Sequence, residues 1–143
     1  MFPHSVTLYN VETQQDAEFR ETVVNHTTIL RGVLLTASQA VSKGASEGAD
    51  AVSLYIPFSV EAVDGETGEA KKYAAPAAYK ALEDKIGHWT LEPSRSCFFV
   101  KGEVVEAGSM QEIEAAHDDV YAVTRADVRD YGGDMQHFEV GGR

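Results

Sequence analysis

Residues 51–60 alternate between apolar and other side chains more regularly than any other part of this sequence. One face of the extended segment carries its apolar residues, Val52, Leu54, Ile56, Phe58 and Val60. An alternation of period two predicts a β-strand whose apolar face is buried. Because proline donates no backbone hydrogen bond, Pro57 predicts that this strand lies at a sheet edge or is interrupted there. A chain that contains such a strand must also supply the strands that pair with it.

Partner strands are predicted where β-branched and aromatic residues cluster. These segments are residues 6–11, 19–35, 88–91, 96–100, 120–128 and 136–140. The long segment 19–35 is either one strand or two, bent near Arg31 and Gly32, where a glycine suits a β-bulge. Polar loops separate the strands, so the elements are expected to pair in an antiparallel sheet.

Two short helices are predicted between these strands. Pro76 suits the first turn of a helix, which Gly87 would end. Ser109 and Glu112 have the Ser-x-x-Glu spacing of a capping box, which predicts a helix over residues 110–116. The fold class predicted is mainly β, an antiparallel β-barrel or sandwich of about six to eight strands with one or two short helices and long loops. Aromatic residues in the predicted strands would fill its core rather than form a ligand platform: Tyr9, Phe58, Trp89, Phe98, Phe99, Tyr121 and Phe138.

The composition indicates one acidic globular domain. The 143 residues contain 12 Lys and Arg against 23 Asp and Glu, which gives a net charge of −11 and predicts a single β-rich domain over residues 1–143. Contacts to nucleic-acid phosphates require clustered Lys and Arg, so the acidity argues against sequence-independent binding to DNA or RNA. No apolar stretch approaches the ~20 residues of a transmembrane helix. The N-terminus lacks the basic and apolar regions of a signal peptide, so no export is expected.

No arrangement of catalytic or metal-binding residues emerges from the sequence. The five histidines are scattered, and no two have the spacing that places two metal ligands on one element. Phosphate-loop and nucleophile-elbow motifs are absent. The single cysteine, Cys97, precedes two phenylalanines and is expected to be a buried core residue. We therefore predict neither an enzyme nor a protein that binds a cofactor or a metal.

Function is expected in exposed loops, because loops carry most binding surfaces on a rigid scaffold. Two polar, glycine-bearing segments, residues 36–50 and 61–75, are predicted as flexible loops used in assembly. Within the second, residues 64–68 (Asp-Gly-Glu-Thr-Gly) predict a hairpin tip or a protruding loop. The candidate assembly residues are charged: Asp64, Glu66, Glu69, Lys71, Lys72, Lys43, Glu47 and Asp50.

Six short motifs, spread over nearly the whole chain, resemble small structural proteins of tailed bacteriophages and prophages. They are Thr-Leu-Tyr-Asn (7–10), Leu-Arg-Gly-Val (30–33), Ile-Pro-Phe (56–58), Trp-Thr-Leu (89–91), Val-Lys-Gly (100–102) and Gly-Gly-Asp-Met-Gln-His-Phe-Glu-Val (132–140). Two places depart from the pattern of that group: residues 93–96 replace a Gly-Asp-like turn, and Phe138 stands where the group has a tryptophan. Proteins of this group are minor capsid or head-tail connector components.

The resemblance implies a virion protein of the phage neck, assembled in the cytoplasm of the host bacterium. A β-rich chain is similar to stopper (head-completion) proteins, which form a homo-oligomeric ring between the portal or adaptor and the tail. Double-stranded DNA would pass through the ring without specific binding, and no membrane is involved. The 61–75 segment would project toward the lumen or an adjacent ring. Two alternatives stay open: a tail terminator or other tail-associated protein, and a small-ligand-binding β-barrel unrelated to phage.

Overall fold

The computed structural model describes residues 3–15, 17–37, 52–82, 85, 87–106, 108–129 and 136–143. The strands of this part of the chain are β1 (His4–Gln15), β2 (Glu21–Ala37), β3 (Val52–Pro57), β4 (Glu61–Asp64), β5 (Lys72–Tyr73), β6 (His88–Trp89), β7 (Ser94–Lys101), β8 (Val120–Arg129) and β9 (His137–Gly142). Its helices are α1 (Pro76–Ala81) and α2 (Met110–Ala116). Neither of these two helices is long and apolar enough to cross a bilayer.

Six strands close into an antiparallel β-barrel, which confirms the predicted fold class. The strands follow one another in the order β1-β7-β8-β9-β3-β2, and β2 pairs back with β1 to complete the circle. β4 is an additional strand that pairs with residues 28–31 of β2. β5 and β6 form a separate parallel pair. Closure leaves the barrel strands with neighbours on both sides, which removes most of the free edges of an open sheet.

β2 is one continuous strand with a bulge at Gly32. His4 of β1 faces Val33, but the next residue, Ser5, faces Arg31, so Gly32 is left without a partner in β1. Gly32 has φ 86°, a conformation that glycine adopts without steric cost. The predicted bend near this glycine is therefore confirmed, and the predicted segment is a single strand. β2 pairs with β1 over residues 21–33 and with β3 over residues 34–37, and the bulge lies where one pairing gives way to the other.

The barrel interior is filled by side chains that alternate along each strand. Leu8, Leu30, Leu54, Phe99 and Val140 are each completely buried in one contiguous cluster. A second cluster lies on the outer face of β1, β7 and β8, where Met110 and Ile113 of α2 cover Tyr9 and Phe98. The Tyr9 and Phe98 rings are stacked 4.6 Å apart. α2 therefore caps one wall of the barrel, and its capping box between Ser109 and Glu112 is present as predicted.

Several predicted elements differ at their ends. β3 stops at Pro57, which confirms the interruption that was one of the two predicted outcomes, and the strand lies between β2 and β9 rather than at an edge. Phe58 then lies outside the strand and is 40% exposed rather than buried in the core. α1 ends at Ala81, well before Gly87.

The segment 61–75, expected as a flexible loop, is ordered instead. It contains β4 and β5, and Val63 forms an isolated bridge with Ala70. The ordering has a simple cause, because β2 offers a free edge to β4 and Ala62 turns inward to join the core. Of the other predicted loop, 36–50, residues 36 and 37 belong to β2, and residues 38–50 lie outside the described residues.

Candidate functional site

The turn 64–68 lies in the predicted assembly segment and is held by its own hydrogen bonds. The Asp64 carboxylate accepts hydrogen bonds from the backbone N–H groups of Glu66 and Thr67, at 2.9 and 2.8 Å. Gly68 has φ 76°, and the Gly65 backbone lies so close to β2 that a Cβ would meet the Thr27 hydroxyl oxygen at 2.3 Å. The sequence Asp-Gly-Glu-Thr-Gly thus forms the hairpin tip that was one of its two predicted outcomes.

Lys71 is a buried structural cation rather than an exposed assembly residue. Its side chain is 1% exposed, and its ammonium group lies 3.3 Å from the Asp64 carboxylate. The same group donates hydrogen bonds to the carbonyl oxygen of Thr27 and the hydroxyl of Thr28, each at 3.0 Å. Thr27 and Thr28 belong to β2, so these two hydrogen bonds hold the returning chain against that strand. This geometry corrects the expectation that Lys71 is offered on a loop.

The surroundings of Asp64 and Lys71 determine the direction in which the pKa of each group is shifted. Partial burial of Asp64 acts to raise the pKa of its carboxyl, but the two backbone N–H donors and Lys71 lower that pKa below its ordinary value. Burial lowers the pKa of the Lys71 ammonium, and Asp64 opposes that effect. The charged pair is therefore held together by specific hydrogen bonds, and loss of either partner leaves a buried charge without its counter-ion.

The remaining candidate assembly residues divide into two groups. Glu66, Glu69 and Lys72 are exposed on the turn and on β5. Lys43, Glu47 and Asp50 lie outside the described residues. Of the eight candidates, the structure brings Asp64 and Lys71 into direct contact.

A hairpin arm, residues 11–25, projects beyond the barrel. β7 pairs with β1 up to Asn10, and β4 pairs with β2 from Thr28 onward. Beyond those points, residues 11–15 and 21–25 pair with each other and with no other described strand. The five pairs of the arm span roughly 17 Å at ~3.4 Å per residue, and Val11 at its base packs against the outer cluster. The arm consequently has two free backbone edges.

Phe19 stands at the tip of the hairpin arm. It is 83% exposed and has φ 62°, the only positive φ among the described non-glycine residues. A bulky side chain in this left-handed region is strained by roughly 1–2 kcal/mol. The neighbouring side chains of Glu18 and Arg20 form an ion pair with each other. The tip therefore presents an aromatic ring, flanked by charges, to the solvent.

The base of the arm is braced against α1. The Glu12 carboxylate lies 3.1 Å from Nε2 of His26 and 3.6 Å from Nζ of Lys85. The His26 and Tyr79 rings meet edge to face, with centroids 6.5 Å apart, and Lys85 lies over the Tyr79 ring. These contacts join the arm to the segment that follows α1, so the arm is supported where it leaves the barrel.

An aromatic pocket of about 420 Å³ opens on the barrel surface. It is lined by Phe58, Val60, Ala62, Lys71, Lys72, Tyr73, Trp89, Val128 and Phe138. Phe138 is the centre of the ring cluster, with centroids 4.6 Å from Tyr73, 4.8 Å from Phe58 and 5.8 Å from Trp89. Phe58 and Val128 form a lip that is 40% and 57% exposed. An exposed aromatic patch of this kind is typical of an interaction site.

Exposed carboxylates concentrate on and around α2. The exposed acidic residues of this surface are Glu103, Glu106, Glu112, Glu114, Asp118 and Asp119. Two nitrogen-bearing side chains are close, Arg31 at 2.8 Å from Glu103 and His117 at 3.1 Å from Glu106. The Arg31 guanidinium donates hydrogen bonds to the carboxylates of Glu103 and Glu61, which raise the pKa of Arg31 above its ordinary value. The α2 surface therefore carries much of the negative charge of the described chain.

Cys97 is the buried core residue that the sequence predicted. Burial raises the pKa of its thiol to about 12, and the side chain is 2% exposed within the barrel cluster. Its sulfur lies 3.5 Å from the Asn10 amide nitrogen and 3.5 Å from the Glu92 backbone nitrogen. Such a thiol is protonated at neutral pH and is a poor nucleophile.

A polar cleft of about 320 Å³ lies between the arm base and Cys97. The hydroxyl oxygens of Tyr79 and Thr90 are buried there without a hydrogen-bond partner. Within the described residues, no group of three or more His, Cys, Asp or Glu side chains is placed to hold a metal ion.

Sequence reasoning did not find the arm tip or the aromatic pocket. Phe19 was placed at the start of a strand, whereas it lies in the turn before β2. A left-handed turn position is signalled by Gly, Asn or Asp, and a phenylalanine gives no such signal. The pocket depends on Phe58, Trp89 and Phe138, which are 31 and 49 residues apart along the chain. Only the closure of the barrel brings them together.

The family model described as "Family of unknown function (DUF6751)" matches residues 1–143. No curated protein matches the sequence significantly, and no solved structure does.

Proposed function

We propose a structural role in a bacteriophage neck for this chain, which belongs to the DUF6751 family of unknown function. In this proposal the protein is a virion component that resembles a stopper (head-completion) subunit. It forms a homo-oligomeric ring between the portal or adaptor and the tail, and double-stranded DNA passes through the ring. The phage-like motifs of the sequence, from residues 7–10 to residues 132–140, suggest the class.

The hairpin arm is the observation that carries the proposal. A closed barrel has few free edges through which to assemble, and residues 11–25 supply two of them away from the barrel body. Its base is braced by Glu12, His26 and Lys85, so the arm is built to hold a fixed direction. A braced projection whose two strands pair with each other and with no other described strand is what a subunit needs to engage a neighbour.

The acidic α2 surface supports the part of the proposal that concerns DNA. Phosphates are repelled by carboxylates, and the effect extends about 8 Å at physiological ionic strength. If α2 faces the lumen, each protomer contributes Glu112, Glu114 and their acidic neighbours to a repulsive wall. Such a wall lets a polyanion slide without adhering to it.

The most direct test places the chain in an intact particle. A small tag added after the exposed Arg143 would be located by electron cryomicroscopy of virions from the phage or prophage that encodes the chain. We expect density for the barrel as a ring at the head-tail junction. Virions without the protein, or a label confined to the capsid shell, would contradict the role.

A second test examines the predicted assembly segment without breaking the fold. A deletion of residues 64–69 would remove the partner of buried Lys71, so the exposed charges are the better target. The double variant Glu66→Gln, Glu69→Gln keeps Asp64 and should reduce the yield of joined heads and tails if this turn faces a neighbouring ring. The control is Lys101→Gln, which removes an exposed charge at the end of β7. Unchanged head-tail joining in the double variant would remove this segment from the proposal.

Two other functions are separated from this one by specific results. A tail terminator shares the β-rich fold and the charge, and it would place the same label at the end of the tail.

A small-ligand-binding barrel is favoured by the aromatic pocket, whereas the barrel interior is filled by its own side chains. A ligand that raises the melting temperature by several degrees in a thermal-shift screen would favour that class.

A further inference from the structure

We propose that Phe19 at the arm tip of one copy inserts into the aromatic pocket of the next copy, and that this contact joins the subunits head to tail. The inference rests on the ring function proposed above and deepens it by naming the two surfaces that meet. Both surfaces are present on every copy, so no other protein is required for the contact.

The arm tip has the properties of an anchor. Phe19 is 83% exposed, so it does not fold back onto the pocket of its own chain. Its φ of 62° carries a steric cost, and no described contact within the chain compensates for that cost. Large aromatic side chains of this kind dominate the binding energy of protein interfaces.

The pocket has the properties of the corresponding receptor. Its volume of about 420 Å³ lies within the range of pockets that enclose a compact apolar group. The rings of Phe58, Tyr73 and Phe138 already pack at tilted angles of 42° and 47°. A further phenyl ring can join this array in the same tilted or edge-to-face manner, which aromatic rings prefer.

Charge favours a second copy of this chain as the occupant. The tip carries Glu18 and Glu21 on either side of Phe19, with Arg20 between them. The pocket is lined by Lys72, which is exposed on β5. An acidic tip that enters beside an exposed ammonium group gains electrostatic attraction, whereas a basic partner would meet Lys72 unfavourably.

The arrangement also fixes the kind of assembly that results. Tip and pocket are different surfaces of one chain, so the contact between two copies is heterologous and leaves one tip and one pocket free. Repetition of such a contact produces a closed ring when the rotation between neighbours closes, and an open filament when it does not.

The test begins with two variants that remove opposite halves of the contact. Phe19→Ala removes the anchor, and Val128→Glu places a charge on the pocket lip, where the native side chain is 57% exposed. The control is Val105→Ala, which removes an apolar side chain that is 85% exposed elsewhere. We expect each of the first two to weaken self-association of the purified chain by about thirtyfold or more, as measured by sedimentation velocity. The control should assemble like the wild type, and circular dichroism checks that all variants are folded.

A mixture of the two defective variants gives the sharper result. Phe19→Ala retains an intact pocket and Val128→Glu retains an intact tip, so an equal mixture should form dimers and nothing larger. A mixture that stays monomeric, or a Phe19→Ala variant that assembles normally, would overturn the inference, as would a wild-type chain that remains monomeric at about 100 µM. These outcomes can be distinguished from a failure of the neck function. If the chain assembles through Phe19 but is absent from virions, only the proposed function is refuted. If the chain forms a ring in the neck and Phe19→Ala subunits still enter that ring, only the proposed contact is refuted.

Discussion

The turn 64–68 and the arm tip around Phe19 both need a residue in the left-handed backbone region, and the two turns place opposite kinds of residue there. Each reverses the chain and each contains a residue at positive φ, Gly68 at 76° and Phe19 at 62°. In the first turn a glycine occupies that position and Asp64 satisfies two backbone donors. In the second, a large aromatic residue occupies it with its side chain in the solvent. The contrast separates residues that stabilise the fold from a residue whose side chain makes no contact among those described for this chain.

The largest expected effect comes from the first turn. Asp64→Asn leaves the ammonium of Lys71 buried without a counter-charge, which should lower the free energy of unfolding by about 3 kcal/mol. Urea denaturation of the variant and of Glu69→Gln, an exposed acidic neighbour, would measure the difference. Equal midpoints for the two variants would show that the buried pair does not stabilise this turn.

The stabilisation of the fold by Asp64 should decrease as the pH falls. The pKa of Asp64 is lowered in the folded chain, so its stabilising contribution is fully present above the ordinary carboxyl pKa of about 3.9 and is lost as the pH falls through the lowered value. The difference in unfolding free energy between the wild type and Asp64→Asn should therefore be constant near neutrality and shrink in acid. Denaturation at a series of pH values measures it, and a difference that grew in acid would contradict the assignment.

A close backbone contact gives the next effect. Gly65→Ala places a Cβ 2.3 Å from the Thr27 hydroxyl oxygen, so β2 or the turn must shift, at a cost of about 1–3 kcal/mol. Gly87→Ala is the matched control because a Cβ there meets nothing within 4 Å. Thermal unfolding of the two variants should separate them, and equal melting temperatures would show that the turn is not held against β2.

The smallest effect has the opposite sign. Phe19→Gly relieves the left-handed strain at the arm tip and should raise the free energy of unfolding of the monomer by about 0.5–1 kcal/mol. Gly68→Ala makes the reverse change in the other turn and should lower it by about 1 kcal/mol. Chemical denaturation at low protein concentration measures both without a contribution from self-association. A destabilised Phe19→Gly variant would mean that the phenyl ring supports its own hairpin.

Most of the barrel could be predicted because its strands carry local signals. The alternation of Val52, Leu54 and Ile56 and the Ser109–Glu112 capping box each act within a few residues, and both are confirmed. β4 gave no such signal, since Ala62 is its one buried residue. The burial of Lys71 was also invisible, because a lysine in a polar stretch is usually exposed and its partners Thr27 and Thr28 belong to another strand.

The candidate site was predictable to a smaller extent. Exposed Glu66, Glu69 and Lys72 were identified as charged surface residues, yet the arm and the pocket depend on where pairing stops and on which distant rings meet. Those properties depend on contacts between distant parts of the closed barrel, so no short stretch of the sequence predicts them.

The continuity of β2 has a mechanical consequence. One strand runs from the arm tip, past the Gly32 bulge, to its pairing with β3, and Ser5 to Gln15 of β1 face it residue by residue. A force applied to the tip along the arm pulls β1 and β2 in the same direction, so it loads in shear the hydrogen bonds that β1 makes with β7 and that β2 makes with β3 and β4. A pull on the tip is transmitted into the wall of the barrel, and the arm acts as a lever that is fixed at its base.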